Sequence, residues 1–227
     1  HKGVSSPLER LVLAAPVRIT TPFHQSLGRL RELARGGSAH GTCGVGVGET
    51  VRDFIASPEA ALRVCHLIGD EARLHRRVSQ IRERLFQEVG PLLDLCAEVP
   101  GAAEEISILE DPAVVDIWLR QIAPFIERLC ATPHMVDSGA IAERIVAEGH
   151  DMVFEGAQGV LLDEDWGFHP HTTWSPCTDQ NAHHWLDKFG FTGVRHRVAV
   201  LRSYMTRHGV GPLPSFAPEL ASSLAEP

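Results

Sequence analysis

The sequence predicts an α/β protein in which a largely helical insertion separates two stretches that contain strands. Short apolar runs at 11–19, 152–154 and 194–205 have the length and composition of strands. Between them, from residue 58 to residue 130, apolar residues recur almost throughout at the spacing of a helix. A further helical pattern at 138–148 leads directly into the second apolar run, and a helix that feeds a strand is typical of α/β folds.

Composition narrows the classes of function. The chain has 227 residues, 44% of them hydrophobic, which is enough for one large domain or two small ones with a real core. Its 21 basic and 29 acidic residues give a net charge of −8 without a basic block, which argues against a general nucleic-acid or anionic-membrane surface. No apolar run approaches the roughly 18 residues of a membrane span, and no secretory leader opens the sequence. Five scattered cysteines without a Cys-x-x-Cys pair favour reduced thiols and a cytoplasmic location.

The first segment, residues 1–57, contains a predicted strand, a helix and a glycine-rich loop. Pro16 interrupts the first apolar run, so we expect one strand or a strand pair with a bend. Thr21 has the position of a helix N-cap and Pro22 that of the first turn, and apolar residues follow at helical spacing until a pair of glycines. His24 lies in the first turn, where a helix-surface or capping role is the plainest interpretation.

Residues Gly41–Gly48, Gly-Thr-Cys-Gly-Val-Gly-Val-Gly, form the glycine-rich loop. Four glycines in eight residues leave the backbone N–H groups unobstructed, as an anion-binding loop requires, and Thr42 could add a hydroxyl donor. The pattern matches neither the dinucleotide fingerprint nor the phosphate loop that ends in Gly-Lys-Ser/Thr. An anion cradle and a mobile loop therefore both stay open at this point.

The second segment, residues 58–137, is predicted to be a helical subdomain. Two apolar stripes at helical spacing are expected to pack into its core. The first stripe consists of Leu74, Val78, Ile81, Leu85, Val89 and Leu92, and the second of Val115, Trp118, Ile122, Phe125 or Ile126, and Leu129. Pro124 predicts a kink in the second of these helices, and the charges from Arg73 to Arg84 are interpreted as a solvated helix face.

The third segment, residues 138–227, carries the most informative motif, Glu-Gly-Ala-Gln-Gly at 155–159. The run Met152–Phe154 is too short for a helix and soon reaches a glycine, which predicts a buried strand. Gln158 then stands close to two glycines, where its amide could hold a substrate at the carboxyl edge of a sheet. A plain strand-to-loop turn is the alternative.

A polar and aromatic loop at 163–175 follows this motif. Its His169-Pro-His171 sequence lacks a third ligand at the usual zinc spacing, so no metal site is predicted. Beyond the loop, the sequence predicts a helix at 179–189, a strand at 194–205 and a turn at 209–214.

Three of these stretches together resemble adenylosuccinate synthetases, the enzymes that join aspartate to inosine monophosphate (IMP) with GTP. Gly41–Gly48 is similar to the family's Gly-Thr-Thr-Gly-Arg-Gly-Ile-Gly segment. Phe154–Asp163 matches its most recognisable motif almost completely, and Tyr204–Pro214 is similar to its Tyr-x-Thr-Arg-x-Gly-x-Gly-Pro-x-Pro run. The resemblance extends from about Lys2 to Pro214 and implies part of a phosphate-loop NTPase-like sheet with a largely helical insertion.

The resemblance also implies the roles of particular residues. Gln158 matches the family's essential glutamine, which lies against the purine while its O6 is phosphorylated. Thr173 matches a threonine that donates to the nucleotide 5′-phosphate, and Thr42 and Cys43 occupy the two threonine positions of the phosphate-side loop. The implied substrates are a purine nucleotide, aspartate and GTP, with Mg²⁺ as cofactor and a homodimer as the assembly.

Several positions depart from the family's pattern. Cys43 exchanges a hydroxyl for a weak thiol donor, and Val45 stands in place of an arginine. The family's arginine that reaches the partner subunit's IMP phosphate aligns near Ser57, for which Arg52 or Arg63 is the nearest substitute. These changes lie on the side that holds the acceptor, while the glutamine motif is kept.

The family's N-terminal phosphate loop and its guanine-reading motif do not occur in the sequence. We therefore expect the central half of a larger enzyme, present as an incomplete stretch, an incompletely ordered chain or a degenerate paralogue, and inactive alone. Two classes of function stay open. One is a GTP-dependent ligase for IMP or a different acceptor, and the other is a non-catalytic paralogue that keeps the fold for binding or dimerisation.

Overall fold

The structure, a computed structural model, describes residues 3, 5–96, 98–132, 135–137, 139–201, 203–207 and 211–214. Among these residues, the helices are α1 (Pro22–Arg35), α2 (Val47–Ala56), α3 (Glu71–Phe86), α4 (Gly90–Cys96), α5 (Ala102–Glu110), α6 (Ala113–Ala131), α7 (Ala140–Ala147) and α8 (Gln180–Lys188). The strands are β1 (Leu13–Ala14) and β2 (Val136–Asp137), which pair in parallel with Leu13 opposite Val136. A mostly helical chain with a small parallel sheet confirms the predicted α/β class.

Contacts between residues divide the chain into two compact units. The first consists of His1–Gly37 and Gly44–Val153 and is named the helical unit here. The second consists of Ser38–Cys43 and Phe154–Pro227 and is named the motif unit, because it contains the Gln158 motif. The division into three segments remains a prediction from the sequence.

Helix α1 begins and ends where the sequence predicts. Thr21 precedes it as the N-cap, and Pro22 occupies its first turn, where the missing N–H leaves no hydrogen bond unmade. The Thr21 backbone N–H donates to His24 Nδ1 at 3.1 Å. The capping interpretation of His24 is therefore confirmed. Its alternative location on the helix surface is wrong, because His24 is buried.

The two predicted apolar stripes contribute to the core of the helical unit, together with Phe23, Leu27 and Leu30 of α1. Five members of the first stripe are buried along α3 and just after it, and two members of the second are buried on α6. Ile126 packs against this core, whereas Phe125 is exposed, which decides between the two residues that the sequence left open. Pro124 lies inside α6. Since each buried side chain of this size stabilises a fold by about 1.5–3 kcal/mol, the buried members of the stripes make a large contribution to the stability of the unit.

A buried polar cluster joins α1, α2 and α3. His24 Nε2 lies 3.4 Å from Asp53 Oδ2, and Arg84 donates to the two oxygens of the same carboxylate at 2.8 and 2.9 Å. Because the Thr21 N–H donates to Nδ1, the ring proton is assigned to Nε2, which faces Asp53. Burial raises the pKa of Asp53, but hydrogen bonds from His24 and Arg84 outweigh this effect and lower the pKa to about 2. The shared carboxylate therefore fastens three helices to one another.

The same cluster contains a hydroxyl, an imidazole and a carboxylate, the three groups that some enzymes use together for nucleophilic catalysis. The Thr21 hydroxyl lies 2.8 Å from His24 Nδ1, which is within the reach of a nucleophile and its base. Thr21, His24 and Asp53 are all buried, however, so a substrate cannot reach the hydroxyl. The cluster is consequently a structural feature of the helical unit.

The arginines of α3 form fewer solvent contacts than the sequence predicts. Arg77 donates to the backbone carbonyls of Glu59 and Ala61, in the turn that follows α2, at 2.7 and 3.2 Å. Arg82 donates to two carbonyls at the end of α5 at 2.9 and 3.1 Å, and Arg84 binds Asp53. The prediction of a solvated face is wrong for these three residues, because tertiary acceptors replace water around their guanidinium groups.

The glycine-rich loop is shorter than predicted, since α2 begins directly after Gly46. Gly46 has a φ of +83°, and a Cβ atom there would lie 2.8 Å from Gln25 N and 2.9 Å from Thr20 Cγ2. Close packing against the start of α1 therefore requires glycine at this position. Gly44 is held in turn by Arg29, whose Nε donates to its carbonyl at 3.0 Å. This part of the loop is packed into the helical unit.

Two of the predicted strands do not form among the described residues. Met152–Phe154 has no strand partner and is not buried, with Val153 95% exposed. The stretch at 194–205 also lacks a strand partner wherever the structure describes it. Both predictions are wrong for one physical reason: an apolar run of strand length becomes a strand only when a neighbouring backbone pairs with it.

The remaining predicted elements are partly or wholly present. The apolar run at 11–19 contributes β1 and, after its proline, a single antiparallel bridge between Arg18 and Arg63. Helix α8 confirms the predicted helix at 179–189. The predicted turn at 209–214 lies partly outside the described residues.

Two general properties complete the description. No helix within the described ranges is long and apolar enough to cross a membrane. None of the five cysteines forms a disulfide. Cys96 is buried, and this burial raises the pKa of its thiol.

Candidate functional site

Gln158 lies in an exposed loop of the motif unit and not at the end of a buried strand. The loop begins at Phe154, whose ring packs edge-on against Trp185 of α8 with the ring centroids 5.4 Å apart. Beyond Gly159 the chain forms a short 3-10 turn, Val160–Leu162. Gln158 therefore presents an uncharged donor and acceptor from a segment that is fastened on both sides.

Asp163 closes the motif and orders the loop that follows. Its buried carboxylate accepts backbone N–H hydrogen bonds from Asp165 at 2.8 Å, Trp166 at 3.0 Å and Cys177 at 2.5 Å. These hydrogen bonds, led by that from Cys177, lower the pKa of the Asp163 carboxyl against the opposing effect of burial. The ionised form is thereby favoured, and one carboxylate holds two separate stretches of the loop.

Thr173 and Cys177 are brought to the Gln158 loop by this arrangement. The Thr173 N–H donates to the Leu162 carbonyl at 2.8 Å, which places Thr173 beside the end of the motif. The Cys177 thiol lies 3.6 Å from Gln158 Oε1 and acts as a weak donor. Burial and neighbouring carboxylates raise the pKa of this thiol, which favours the protonated form. The predicted catalytic glutamine and a predicted phosphate-binding threonine thus share one loop system.

Thr42 and Cys43 are exposed and belong to the motif unit as well. A contact between their segment and the region of Thr173 is made by His40, whose ring meets that of His171 edge-on at a centroid distance of 6.1 Å. His171 precedes Thr173 by two residues. This ring contact therefore brings the two predicted phosphate-side segments together.

Arg52, the predicted phosphate-binding arginine, lies on α2 in the helical unit. Its Nε is 3.6 Å from Oε2 of Glu49, and Glu49 also pairs with Arg31 at 3.2 Å. Arg52 is therefore part of an ion-pair network that fastens α2 to α1. A role in phosphate binding remains a prediction.

Arg207 has a positioning role that the sequence analysis missed. Its guanidinium donates to the backbone carbonyls of His171 at 2.7 Å and Leu161 at 3.5 Å. Gly211 packs so closely that a Cβ atom there would lie 2.6 Å from Arg207 Nη2. Arg207 consequently ties the third recognised motif to the second. Its place inside the third motif was the available signal in the sequence.

A cleft of about 470 Å³ in the helical unit contains none of the predicted site residues. It is lined by Ala14, Pro16, Val17, Arg18, Thr20, Val47, Thr50 and Val51. The hydroxyls of Thr20 and Thr50 bond to each other at 2.9 Å, and the Arg18 guanidinium lies 4.8 Å from the centre of the Phe54 ring. Because these polar groups already have protein partners, we assign the functional site to the motif unit.

Metal ligands do not converge in the part of the chain that the structure describes. No three His, Cys, Asp or Glu side chains there are grouped so that they could hold a metal ion. His169 Nε2 bonds to the Glu164 carbonyl at 2.8 Å, and His171 contacts His40. The described residues therefore offer no ready-made magnesium site.

Comparison with known sequences finds relatives that all have the same description. A family model described as adenylosuccinate synthetase matches residues 1–226. The adenylosuccinate synthetase of Myxococcus xanthus (strain DK1622) is 34% identical over 206 residues, which cover 91% of this chain and 44% of the relative. That of Synechococcus sp. (strain CC9311) is 34% identical over 215 residues, which cover 94% of this chain and 44% of the relative.

A solved structure is also similar in fold. The fully ligated adenylosuccinate synthetase from Plasmodium falciparum matches with a TM-score of 0.59 and 19% sequence identity, over 92% of this chain and 44% of that one. The chain thus spans less than half the length of the relatives it matches.

Proposed function

Because the chain belongs to the adenylosuccinate synthetase family, we propose that it carries the acceptor side of a GTP-dependent ligase that joins aspartate to an IMP-type purine nucleotide. The observation that supports this proposal is the Asp163 carboxylate, which holds the Gln158 loop to the stretch that contains Thr173. An exposed amide and a threonine on stretches that one buried carboxylate holds together suit the binding of a nucleotide. Since the chain covers 44% of its Myxococcus relative, the activity is proposed for the complete protein.

The proposed reaction proceeds through a phosphorylated acceptor. GTP transfers its terminal phosphoryl group to O6 of the purine, GDP leaves, and the purine loses its N1 proton, so that a poor leaving group becomes a good one. The aspartate amine then attacks the carbon that carries O6 and gives up a proton. A C–N bond forms, the C–O bond breaks, and phosphate leaves with the bonding electrons.

Gln158 is proposed to hydrogen-bond the purine while this exchange takes place. Its amide offers two N–H donors and one carbonyl acceptor without adding a charge that would compete with the phosphoryl group. The thiol of Cys177, which approaches Oε1, turns the NH₂ group to the opposite side of the amide. Thr173 and Thr42 are proposed to donate to the 5′-phosphate of the acceptor, with Cys43 as a weaker neighbour.

GTP and Mg²⁺ are proposed as substrate and cofactor of the complete protein. The described residues do not form a metal site, and the glycine-rich loop contains no lysine that could neutralise the phosphates. We therefore derive no step through the metal from this chain. A cytoplasmic homodimer is proposed on the basis of family membership alone.

A specialised acceptor is the second candidate function. Cys43 and Val45 are exposed where the family carries a threonine and an arginine, and Arg52 pairs with Glu49. Because a hydrogen bond to a charged group contributes about 1.5–3 kcal/mol, loss of one arginine contact weakens phosphate binding by roughly 10- to 150-fold. An acceptor that is held less through its phosphate fits these changes.

The two candidates are separated by an acceptor comparison on the complete protein that carries this sequence. GTP, Mg²⁺ and aspartate are supplied with IMP or with inosine, and GDP, phosphate and the consumption of aspartate are measured. Turnover of IMP with stoichiometric loss of aspartate supports the first candidate, and preference for the nucleoside supports the second. The absence of aspartate-dependent GDP formation with either acceptor contradicts both.

A further inference from the structure

The Cys177 thiol contacts the side chain on which the proposed chemistry depends. Its Sγ lies 3.6 Å from Gln158 Oε1, and both residues belong to the motif unit. A thiol has one hydrogen to donate and is a weak acceptor, whereas the amide has a carbonyl acceptor at one end and two N–H donors at the other. The end of the amide that faces the sulfur therefore decides which end is left for a ligand.

The position of this sulfur is set by the backbone around it. The Cys177 N–H donates to Asp163 Oδ2 at 2.5 Å, and the N–H of Thr178 donates to the same buried carboxylate. Gln158, by contrast, is exposed, and its side chain can turn about several single bonds. Cys177 is consequently the fixed member of the pair, and the Gln158 amide is the member that adjusts to it.

The surroundings of Cys177 keep the hydrogen on its sulfur. Burial raises the pKa of the thiol above the ordinary value of 9.0, and the charges of Asp163 and Glu164 act in the same direction, against a hydrogen bond from the Ser175 hydroxyl. The Ser175 carbonyl, 3.5 Å from Sγ, shares the same hydrogen. At neutral pH the sulfur is therefore a donor, which favours a carbonyl oxygen over an NH₂ group on the side of Gln158.

We propose that Cys177 is a positioning residue, whose thiol holds Oε1 of Gln158 and thereby presents the amide NH₂ group to the acceptor. This inference rests on the proposed function, because it takes Gln158 as the residue that hydrogen-bonds the purine. The NH₂ group can donate to an oxygen that gains negative charge, such as O6 of a 6-oxopurine, whereas a carbonyl in the same place would repel it. Cys177 acts on the reaction only through Gln158.

Loss of the thiol hydrogen reverses this preference. A thiolate accepts hydrogen bonds, so it attracts the NH₂ group of Gln158 and repels Oε1. Because the pKa of the thiol is raised, the reversal takes place at pH values above 9.0. We expect turnover of the complete protein to fall there. Cys177→Ser should remove this alkaline loss, since a serine hydroxyl does not ionise in that range.

Alkylation of the thiol tests the orientation of the amide without turnover. Iodoacetamide reacts with the thiolate, so the pH dependence of alkylation at Cys177, followed by peptide mass spectrometry on the complete protein, reports its ionisation. Gln158→Met removes the carbonyl acceptor and keeps the length of the side chain. Because a hydrogen bond to the neutral thiol disfavours the thiolate, this variant should raise the thiolate fraction at a given pH by about 2- to 10-fold. Cys130, exposed on α6, is the reference in the same sample and should be unchanged.

Turnover of the complete protein with IMP, aspartate, GTP and Mg²⁺ tests the positioning role. Cys177→Ala should lower kcat by about 2- to 10-fold, the net contribution of one hydrogen bond, and leave the KM for IMP within about 2-fold. Cys177→Ser supplies a hydroxyl donor in place of the thiol and should restore kcat. Cys130→Ala is the matched control and should change neither constant.

Two results would overturn the proposal. An unchanged or smaller thiolate fraction in Gln158→Met would show that Oε1 does not accept the thiol hydrogen. An unchanged kcat in Cys177→Ala, in a protein that joins aspartate to IMP, would exclude the positioning role. If the complete protein shows no aspartate-dependent turnover, the proposed function fails, while the alkylation result still decides which end of the Gln158 amide faces the sulfur.

Discussion

The helical unit and the motif unit use their polar residues in opposite ways. In the helical unit Asp53 is buried and shared between His24 and Arg84, so its hydrogen-bonding capacity is used to join three helices. In the motif unit Gln158 is exposed, and the buried carboxylate is Asp163, which binds backbone N–H groups of the adjoining loop. The comparison shows two kinds of polar residue. A buried residue whose hydrogen-bonding groups are paired with other side chains holds the fold together. An exposed residue that lies next to a buried carboxylate can still bind a ligand.

The largest expected effect on stability comes from removing Asp53. Asp53→Ala leaves the buried part of Arg84 and the His24 ring without their common acceptor, which should lower the free energy of unfolding by about 3–5 kcal/mol. Urea denaturation followed by far-UV circular dichroism measures this change. Asp116→Ala is the matched control, because its ion pair with His75 is exposed and should contribute less than about 1 kcal/mol. Equal losses of unfolding free energy in the two variants would contradict the distinction between the buried and the exposed ion pair.

Gly46→Ala tests whether the glycine loop is a packed part of the helical unit. The positive φ and a Cβ atom 2.8 Å from Gln25 N should together cost about 2–4 kcal/mol of unfolding free energy. Gly37→Ala has open space around its Cβ position and should change stability by less than about 0.5 kcal/mol. A neutral Gly46→Ala variant would show that the loop relaxes easily and is mobile.

The contribution of Asp53 to stability should also appear in the pH dependence of the free energy of unfolding. Its folded pKa of about 2 lies below the ordinary value of 3.8, so the folded state favours the ionised form. The resulting stabilisation, about 2 kcal/mol, is fully present above the unfolded pKa and is lost as pH falls from about 5 towards 2. Unfolding curves across this range should show that loss in the parent chain. If the unfolding free energy of the Asp53→Asn variant changes with pH as steeply as that of the parent chain, the pH dependence comes from other carboxyl groups.

The helices could be predicted from the sequence because their determinants are local. Thr21 and Pro22 fix the start of α1, and a repeat of apolar residues fixes the buried face of α3. The runs at 152–154 and 194–205 do not form strands, because strand pairing depends on backbone groups that are distant in the sequence. The α3 arginines were misjudged for the same reason, since their acceptors are tertiary.

The candidate site could be predicted only in part. Motif resemblance named Gln158, Thr42, Cys43 and Thr173, which the structure places in one unit. The parts played by Asp163 and Arg207 depend on which backbone groups surround them, and side-chain patterns do not encode that information.

The central claim is that chemistry belongs to the motif unit and stability to the helical unit. Gln158→Ala in the complete protein tests it most directly, with turnover and unfolding free energy measured on the same sample. We expect turnover to fall by about 10²-fold or more, the loss typical of one transition-state hydrogen-bond donor, while the unfolding free energy changes by less than about 0.5 kcal/mol. Near-normal turnover, or loss of the fold, would contradict the account.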